Sequence, residues 1–381
     1  MMKILISPDS FKGSASAAKI ADLIEKLIIS SGLKDIETEK LPLADGGEGS
    51  LDSISQTTDF EKVYVMVFNP LMKEIEAYYL IDRIKNTAYV ELAMASGLMV
   101  SSGPNNIMVA STYGTGQLIK HAITEGANNI VLFLGGSGTC DAGLGICEAL
   151  SVDFLDSDGI KIFPYPHKLK DITCIDNSKS ILKTGDIIIK QAVDVDNPFY
   201  GINGASYIYS PQKGANPLQV KQLDRGLEHL AGIFHRQFGI DLQTISGSGS
   251  AGGAAGGLHV LLEAQITNGS EKIFELLNIE EKIKQVDLVI SGEGKIDQQT
   301  LNNKLLFSLS KLSRRNKKPL WAVCGLFDGN SELLNKLNIE RIFTLASTKD
   351  EIEDSIKNVE KVFERISGKI VNALKVIDNG H

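Results

Sequence analysis

Cysteine is sparse in this chain of 381 residues: Cys140, Cys147, Cys174 and Cys324 show no CxxC and no paired spacing. That argues against a zinc cage or a disulfide framework. Long apolar runs are missing too, and the cleanest, Ile130–Leu134, is far too short to cross a bilayer. Pro8, Asp9 and Lys12 interrupt any apolar segment near the N-terminus, so no signal peptide is expected. Basic charge does not dominate: 39 Lys+Arg against 47 Asp+Glu give a net charge of −8, spread along the chain. A dedicated nucleic-acid surface is not expected from such a balance. No P-loop GxxxxGK(S/T), protein-kinase signature, GxSxG or HExxH occurs, and none of the six histidines lies in a catalytic-looking loop. Walker-type nucleotide binding and histidine-dependent hydrolysis are thereby disfavoured. The expectation is a soluble, cytoplasmic protein of two domains, with neither membrane nor nucleic acid among its partners.

What is present is glycine, and it is clustered. Asp45-Gly46-Gly47-Glu48-Gly49, Gly135-Gly136-Ser137-Gly138, Gly247–Gly253 and Gly292-Glu293-Gly294 each follow an apolar or β-branched run and precede a helix-like stretch. Strand, glycine-rich turn, helix is the local grammar of an α/β protein. Glycine lets the backbone approach a ligand, and a helix N-terminus suits anions such as phosphate. Each cluster alone is equally a tight connection; four of them carrying or flanked by acids favour a phosphate-handling site.

The pattern along the chain predicts a strand at Lys3–Ser7 and a helix with Ile20, Leu23, Ile24, Leu27 and Ile28 on one face. Leu41–Ala44 leads into the first glycine cluster, and an antiparallel meander runs from Phe60 to Leu92. Helices at Tyr113–Glu125 and Asp141–Leu150 flank a strand at Asn129–Leu134. Further strands are expected near Val152–Leu155, Ile187–Val193 and Ser206–Tyr209, then a helix around Leu223–Phe234. A parallel pattern returns with strands at Asp287–Ser291, Leu320–Cys324 and Ile342–Ala346, and one last helix carries Ile352, Ile356, Val359, Phe363, Ile366 and Ile370 in register. The implied fold is α/β: a doubly wound parallel-sheet (Rossmann-like) domain from residues 1–58 and 275–381, with a mixed α/β domain, 59–274, inserted. A cleft between two such domains is a common ligand position.

The chemistry-bearing residues sit in turns. Asp194-Val-Asp196-Asn197-Pro198 follows a β-branched strand; two acids at i and i+2 suit Mg²⁺, while an Asx-type turn before proline is the alternative. Lys213 lies in Ser210–Gly214, and Glu293, Lys295 and Asp297 lie just past Ser291, at a parallel strand's carboxyl end. Asp9 and Lys12 occupy the same place after the first strand. Lysines, acids and amide nests are what phosphoryl transfer needs. Gly247-x-Gly249-x-x-Gly252 matches a dinucleotide fingerprint as a string, but no good strand precedes it.

At these residues the chain resembles the class I bacterial glycerate kinase family. The matching segments are Pro8–Ser14, Ala44–Ser50, Glu91–Leu98, Thr112–Gly116, Gly135–Asp141, Asp194–Pro198, Gly204-Ala205 with Pro211–Ala215, and Gly292–Asp297. The resemblance implies ATP- and Mg²⁺-dependent phosphorylation of D-glycerate, at the 2-hydroxyl in preference to the 3-hydroxyl, on a two-domain α/β fold without a P-loop. Cys140 and Asn303 depart from the family's usual Asn and Gly, which puts a substrate bond at 140 and phosphate binding at 303 in doubt. Charge and position suggest Lys12 and Lys213 for the glycerate carboxylate or the transferring phosphoryl group, and Asp194 or Asp196 for Mg²⁺ or the hydroxyl proton. Asp45, Glu48, Asp141 and Glu293 are further acids. Asp9, Ser10, Gly46, Gly47, Gly136, Ser137, Thr139, Asn197, Gln212, Gly292, Gly294 and Asp297 complete the candidate substrate and phosphate set, with the Gly135–Gly138 and Gly292–Gly294 turns as anion nests. Cys140 reads as a packed thiol ahead of a reactive one. The expected partners are glycerate and ATP, with a homodimer as the candidate assembly. Two other classes stay open: a non-catalytic two-domain sensor of a small organic acid, and a nicotinamide-dependent oxidoreductase resting on the Gly247 string.

Overall fold

The structure is a computed structural model that describes residues 1–11, 14–33, 35–44, 46–47, 49–100, 106–181, 186–301, 305–346 and 349–378. The chain divides into two units, residues 1–45 with 270–381, and residues 46–269.

In the first unit the described residues form a parallel sheet of five strands, in the order Ile339–Ala346, Leu320–Phe327, Leu288–Ile296, Met2–Ile6, Ile36–Lys40. Both faces are buried, as an all-parallel sheet requires: Ile4 and Ile6 join a cluster with helices Ala17–Ser30 and Val359–Asp378, while Leu5 and Val289 between them are equally inaccessible. The order reverses at Met2–Ile6, whose neighbours are the next strand in sequence and one from nearly 300 residues later. Such a switch point is where open α/β sheets bind ligands, beyond the carboxyl ends of the strands.

The second unit holds a mixed sheet in the order Gln265–Asn268, Ile188–Val193, Asn129–Phe133, Thr87–Glu91, Glu74–Asp82, Glu61–Phe68. The first four run parallel, and the last two close the expected antiparallel meander. Helices Tyr113–Thr124, Leu144–Ala149, Pro217–Phe238 and Ala254–Leu262 cover it through one continuous core that includes Leu118, Ile146, Leu227 and Leu258. The helix Pro217–Phe238 starts from a capping box in which Asn216 and Gln219 satisfy each other's backbone N–H groups.

Several elements differ from the sequence expectation. Residues 46–58, expected with the chain ends, pack in the second unit, because the buried Glu91 carboxylate accepts from Gly49 N–H and Leu51 N–H, both at 3.1 Å, at the start of helix Ser50–Ser55. Leu41–Ala44 only extends the strand Ile36–Lys40: Leu41 and Leu43 donate to Ile6 and Pro8 carbonyls, but Pro8 has no N–H to return the next bond of the ladder. Ser206–Tyr209 is not a strand but part of helix Ala205–Tyr209, whose Ile208 N–H bonds the Gly204 carbonyl at 3.2 Å. Burial does not alternate along it: Ser206 is buried, while Tyr207 and Ile208 both stay exposed. The expected helix at 141 begins at Leu144, after a turn built on Asp141. The final helix is two, Lys349–Lys357 and Val359–Asp378, parted at Asn358, whose side chain donates back to Asp354.

Gly292-Glu293-Gly294 is not a turn. The strand runs through it to Ile296, so it forms no anion nest. Glycine is needed at 292 because a Cβ there would lie 1.9 Å from the Val323 carbonyl oxygen of the adjacent strand. Gly292→Ala is expected to cost about 1–3 kcal/mol through forced separation of the two strands, read as a lower urea midpoint at unchanged slope.

Candidate active site

In the second unit, helix Ala205–Tyr209 passes into a single 3₁₀ turn, Pro211–Lys213, ended by Gly214 at φ 95°. That sharp reversal turns Lys213 inward, where only 3% of it is exposed, while Gln212 beside it faces solvent. Lys213 Nζ donates to Ser137 Oγ and to the Thr139 carbonyl, both at 2.8 Å. Lys213 is thus brought onto Ser137 and Thr139, 76 and 74 residues earlier in the chain, and all three are expected from the sequence. Burial strips water from the ammonium and lowers its pKa to about 8, against the opposing pull of neighbouring Cys140 and Asp141. Burial also pushes the Cys140 thiol up. Its Sγ is 3.6 Å from Ser206 Oγ in a fully covered position, so it is a packed thiol.

Asp141 is completely buried and organises the loop instead of facing a ligand. One carboxylate oxygen accepts from Thr112 N–H (2.7 Å), Thr112 Oγ1 (2.8 Å) and Gly145 N–H (3.3 Å), the other from Gly143 N–H (3.2 Å). Burial raises its pKa and these donors restrain the rise. Thr112 Oγ1 also accepts from Ile146 N–H, tying the loop to the following helix.

The strand Ile188–Val193 ends before Asp194, so strand alternation does not set the faces of Asp194 and Asp196. Asp194 is half-buried with one oxygen accepting from Gly269 N–H at 2.8 Å, whereas Asp196 is exposed. Asn197 is held from both ends: Tyr209 donates its hydroxyl to Oδ1, and Nδ2 donates to the Asn203 carbonyl at 2.9 Å. Among the described residues no three His, Cys, Asp or Glu side chains gather as a metal cage. A cation arriving on nucleotide phosphates needs only one or two carboxylates, which this loop's hard oxygen donors fit.

Most of the glycine clusters are close backbone packing. Gly46 and Gly135 are joined by a backbone hydrogen bond of 3.3 Å, and a Cβ on Gly135 would lie 2.3 Å from Gly47 Cα. In the Gly135–Gly138 turn the outer N–H groups already serve the Gly46 and Ser96 carbonyls, leaving its tip, Gly136 at φ 75° and Ser137, as the accessible part. The Gly247–Gly257 stretch is buried throughout, and added Cβ atoms would meet backbone oxygens of Val195, Pro198 and Thr139 at 2.7, 2.1 and 2.3 Å. That backbone faces protein, not a dinucleotide pyrophosphate.

In the first unit, Asp9 and Glu293 meet at the switch point. Asp9 N–H donates to the Gly292 carbonyl at 2.8 Å, Ser291 Oγ to the Ser7 carbonyl, and Thr300 Oγ1 to Glu293. Ser10 follows, with its N–H on the Asp9 carboxylate, and Asp297 pairs with Lys295 at 3.0 Å. Lys12, Asp45, Glu48 and Asn303 lie outside the described residues. Tyr209 and Thr300 are not among the residues expected from the sequence, and Thr112 stands there only in a matching segment; their partners Asn197, Glu293 and Asp141 lie 12, 7 and 29 residues away.

Residues 4–375 match the model of the glycerate kinase family. The chain belongs to that family. It is 34% identical to the glycerate kinase of Bacillus cereus over 100% of both chains, and 33% identical to the glycerate 2-kinase of Escherichia coli over 98% of each. A crystal structure from Salmonella typhimurium assigned as glycerate kinase 2 superposes with a TM-score of 0.76 at 32% identity, covering 98% of this chain and 99% of that one. The protein is therefore an enzyme, an ATP-using kinase with glycerate as acceptor, and neither a sensor nor a nicotinamide-dependent oxidoreductase. No helix among the described residues is long and apolar enough to cross a membrane.

Lys213 also makes stability depend on pH. Its folded pKa of about 8 lies below the ordinary 10.5, so within that window the unfolded chain binds more protons and stability rises with pH. The unfolding free energy of the wild type, read from its urea midpoint, is expected to gain on that of Lys213→Met between pH 8 and 10.5, by on the order of 3 kcal/mol at the limit. Parallel midpoints across the window would show that Lys213 is not a depressed, buried ammonium.

Proposed function

We propose that the enzyme phosphorylates D-glycerate at the 2-hydroxyl, in the cytoplasm, with Mg²⁺ carried on the ATP. The observation that carries the site assignment is the buried Lys213 ammonium fixed at 2.8 Å by Ser137 and Thr139. The Escherichia coli relative's name, glycerate 2-kinase, supports the choice of hydroxyl.

Phosphoryl transfer spreads negative charge over the moving group's oxygens, and catalysis is chiefly positioning and charge stabilisation. A lysine that already donates to two fixed partners needs little reorganisation as that charge develops, and its low-dielectric surroundings strengthen the attraction. The tip at Gly136 and Ser137 brings a hydroxyl and backbone N–H groups to the same place. Asp196, with Asp194 behind it, would hold Mg²⁺, which when bound neutralises charge on the nucleotide phosphates. One of these two acids would alternatively take the hydroxyl proton. Asn197, locked by Tyr209, orients that loop. Asp9 and Glu293 at the switch point of the first unit, with Ser10 and Asp297, form the second group of polar residues assigned to substrate and phosphate.

Incubation with ATP, Mg²⁺ and D-glycerate, followed by ³¹P NMR, is expected to yield a 2-phosphoglycerate signal that requires the metal; a 3-phosphoglycerate signal would overturn the regiochemistry. Lys213→Met and Asp196→Asn should each lower kcat by about 10²-fold or more with the fold intact by circular dichroism. Near-wild-type turnover in either removes that residue from its role.

A further inference from the structure

Glu61–Phe68 is an edge strand of the mixed sheet, paired on one side with Glu74–Asp82 and, among the described residues, with no strand on the other. Asn69 N–H bonds the Lys73 carbonyl across the hairpin at 2.8 Å. Antiparallel alternation then gives the odd-numbered residues their hydrogen bonds within the chain and directs the N–H and C=O groups of Lys62, Tyr64, Met66 and Phe68 outward. The Phe68 end is closed internally: its N–H donates to Gln117 Oε1 at 2.8 Å, and Gly114 packs so tightly that a Cβ would stand 1.7 Å from its carbonyl oxygen. Lys62, Tyr64 and Met66 remain.

Edge strands are ordinarily blunted by proline, bulges, or charges standing along the edge. Here the register runs from Glu61↔Ile81 to Phe68↔Glu74 without a shift or a proline. The charges are folded back: Glu61 is paired to Arg83 at 2.8 Å, and Lys62 Nζ lies 4.1 Å from the centre of its own Tyr78 ring. Tyr64 and Met66, 57% and 59% exposed, stand side by side on the outer face.

We propose that this edge is the interface of a homodimer, in which the same strand of a second copy pairs antiparallel about Tyr64. A two-fold axis through the sheet keeps each face on its own side, so opposed residues must share parity, and the registers that best overlap the strands centre on Tyr64 or Val65. A Val65 centre needs the outward groups of Phe68, which are already committed. A Tyr64 centre pairs Tyr64 with Tyr64 and Lys62 with Met66, and gives a partner to every outward group the chain leaves open. It opposes each lysine to a methionine, not to another lysine, and the exposed tyrosines and methionines cover one another.

Sedimentation velocity and light scattering at 10–100 µM should give the wild type a mass twice the 41.2 kDa of the chain. Tyr64→Pro removes an outward N–H that the chain itself does not use, a position where an edge strand tolerates proline. It is expected to run at 41.2 kDa with wild-type kcat and circular dichroism. Met66→Lys keeps every backbone donor, sets lysines against lysines, and should weaken association at least tenfold; it decides the matter if Tyr64→Pro fails to fold. A wild type that runs at the chain mass, or as anything larger than a dimer, overturns the proposal, as does either folded variant that keeps the doubled mass.

Discussion

The Thr139 carbonyl oxygen is where the architecture and the chemistry of the second unit meet. On one side it accepts from the Lys213 ammonium; on the other, Gly252 approaches so closely that a single added carbon would lie 2.3 Å away. The neighbouring Ala142 N–H reaches back to the Gly252 carbonyl at 3.1 Å, so the Thr139–Ala142 segment and the glycine-rich stretch fix each other. A buried ammonium is tolerable only with fixed acceptors, and a fixed carbonyl here needs neighbours without side chains. The Gly247–Gly257 stretch thus supports the site from behind.

Asp141 and Lys213 are both buried in this unit, each on its own set of polar groups. Asp141 is satisfied by amide and hydroxyl donors from Thr112, Gly143 and Gly145, and Lys213 by a hydroxyl and a carbonyl. Hydroxyl and carbonyl acceptors orient a charge without cancelling it, so these bonds fix where the Lys213 ammonium sits. The raised pKa of Asp141 and the lowered one of Lys213 share a cause, loss of water, and mark the same dry region.

The parallel sheet, the antiparallel meander and most helices were legible because their apolar periodicities are long. The strand Glu74–Asp82 shows its pattern over nine residues; the five of Ala205–Tyr209 cannot distinguish period two from period 3.6. Close approach explains glycine at 292 and 247–257, but what approaches is the protein's own backbone. Asp141 stood out as an acid in a glycine-rich segment, yet its burial and its bonds to Thr112 depend on contacts that no local pattern encodes. Ser137 and Thr139 share one segment of the sequence, and only the fold brings Lys213 to them.

The position of Met2–Ile6 in its sheet also bears on how the chain is made. Its partner Leu288–Ile296 is synthesised nearly 300 residues later, and Leu320–Phe327 and Ile339–Ala346 later still. Residues 46–269, by contrast, are contiguous and hold their own core. On a ribosome adding about 5–20 residues per second, the inserted unit is complete while the first strand still waits for its neighbour. The unit built from both chain ends is completed last, after the insert is finished, and for tens of seconds the apolar strand Met2–Ile6 has only Ile36–Lys40 beside it.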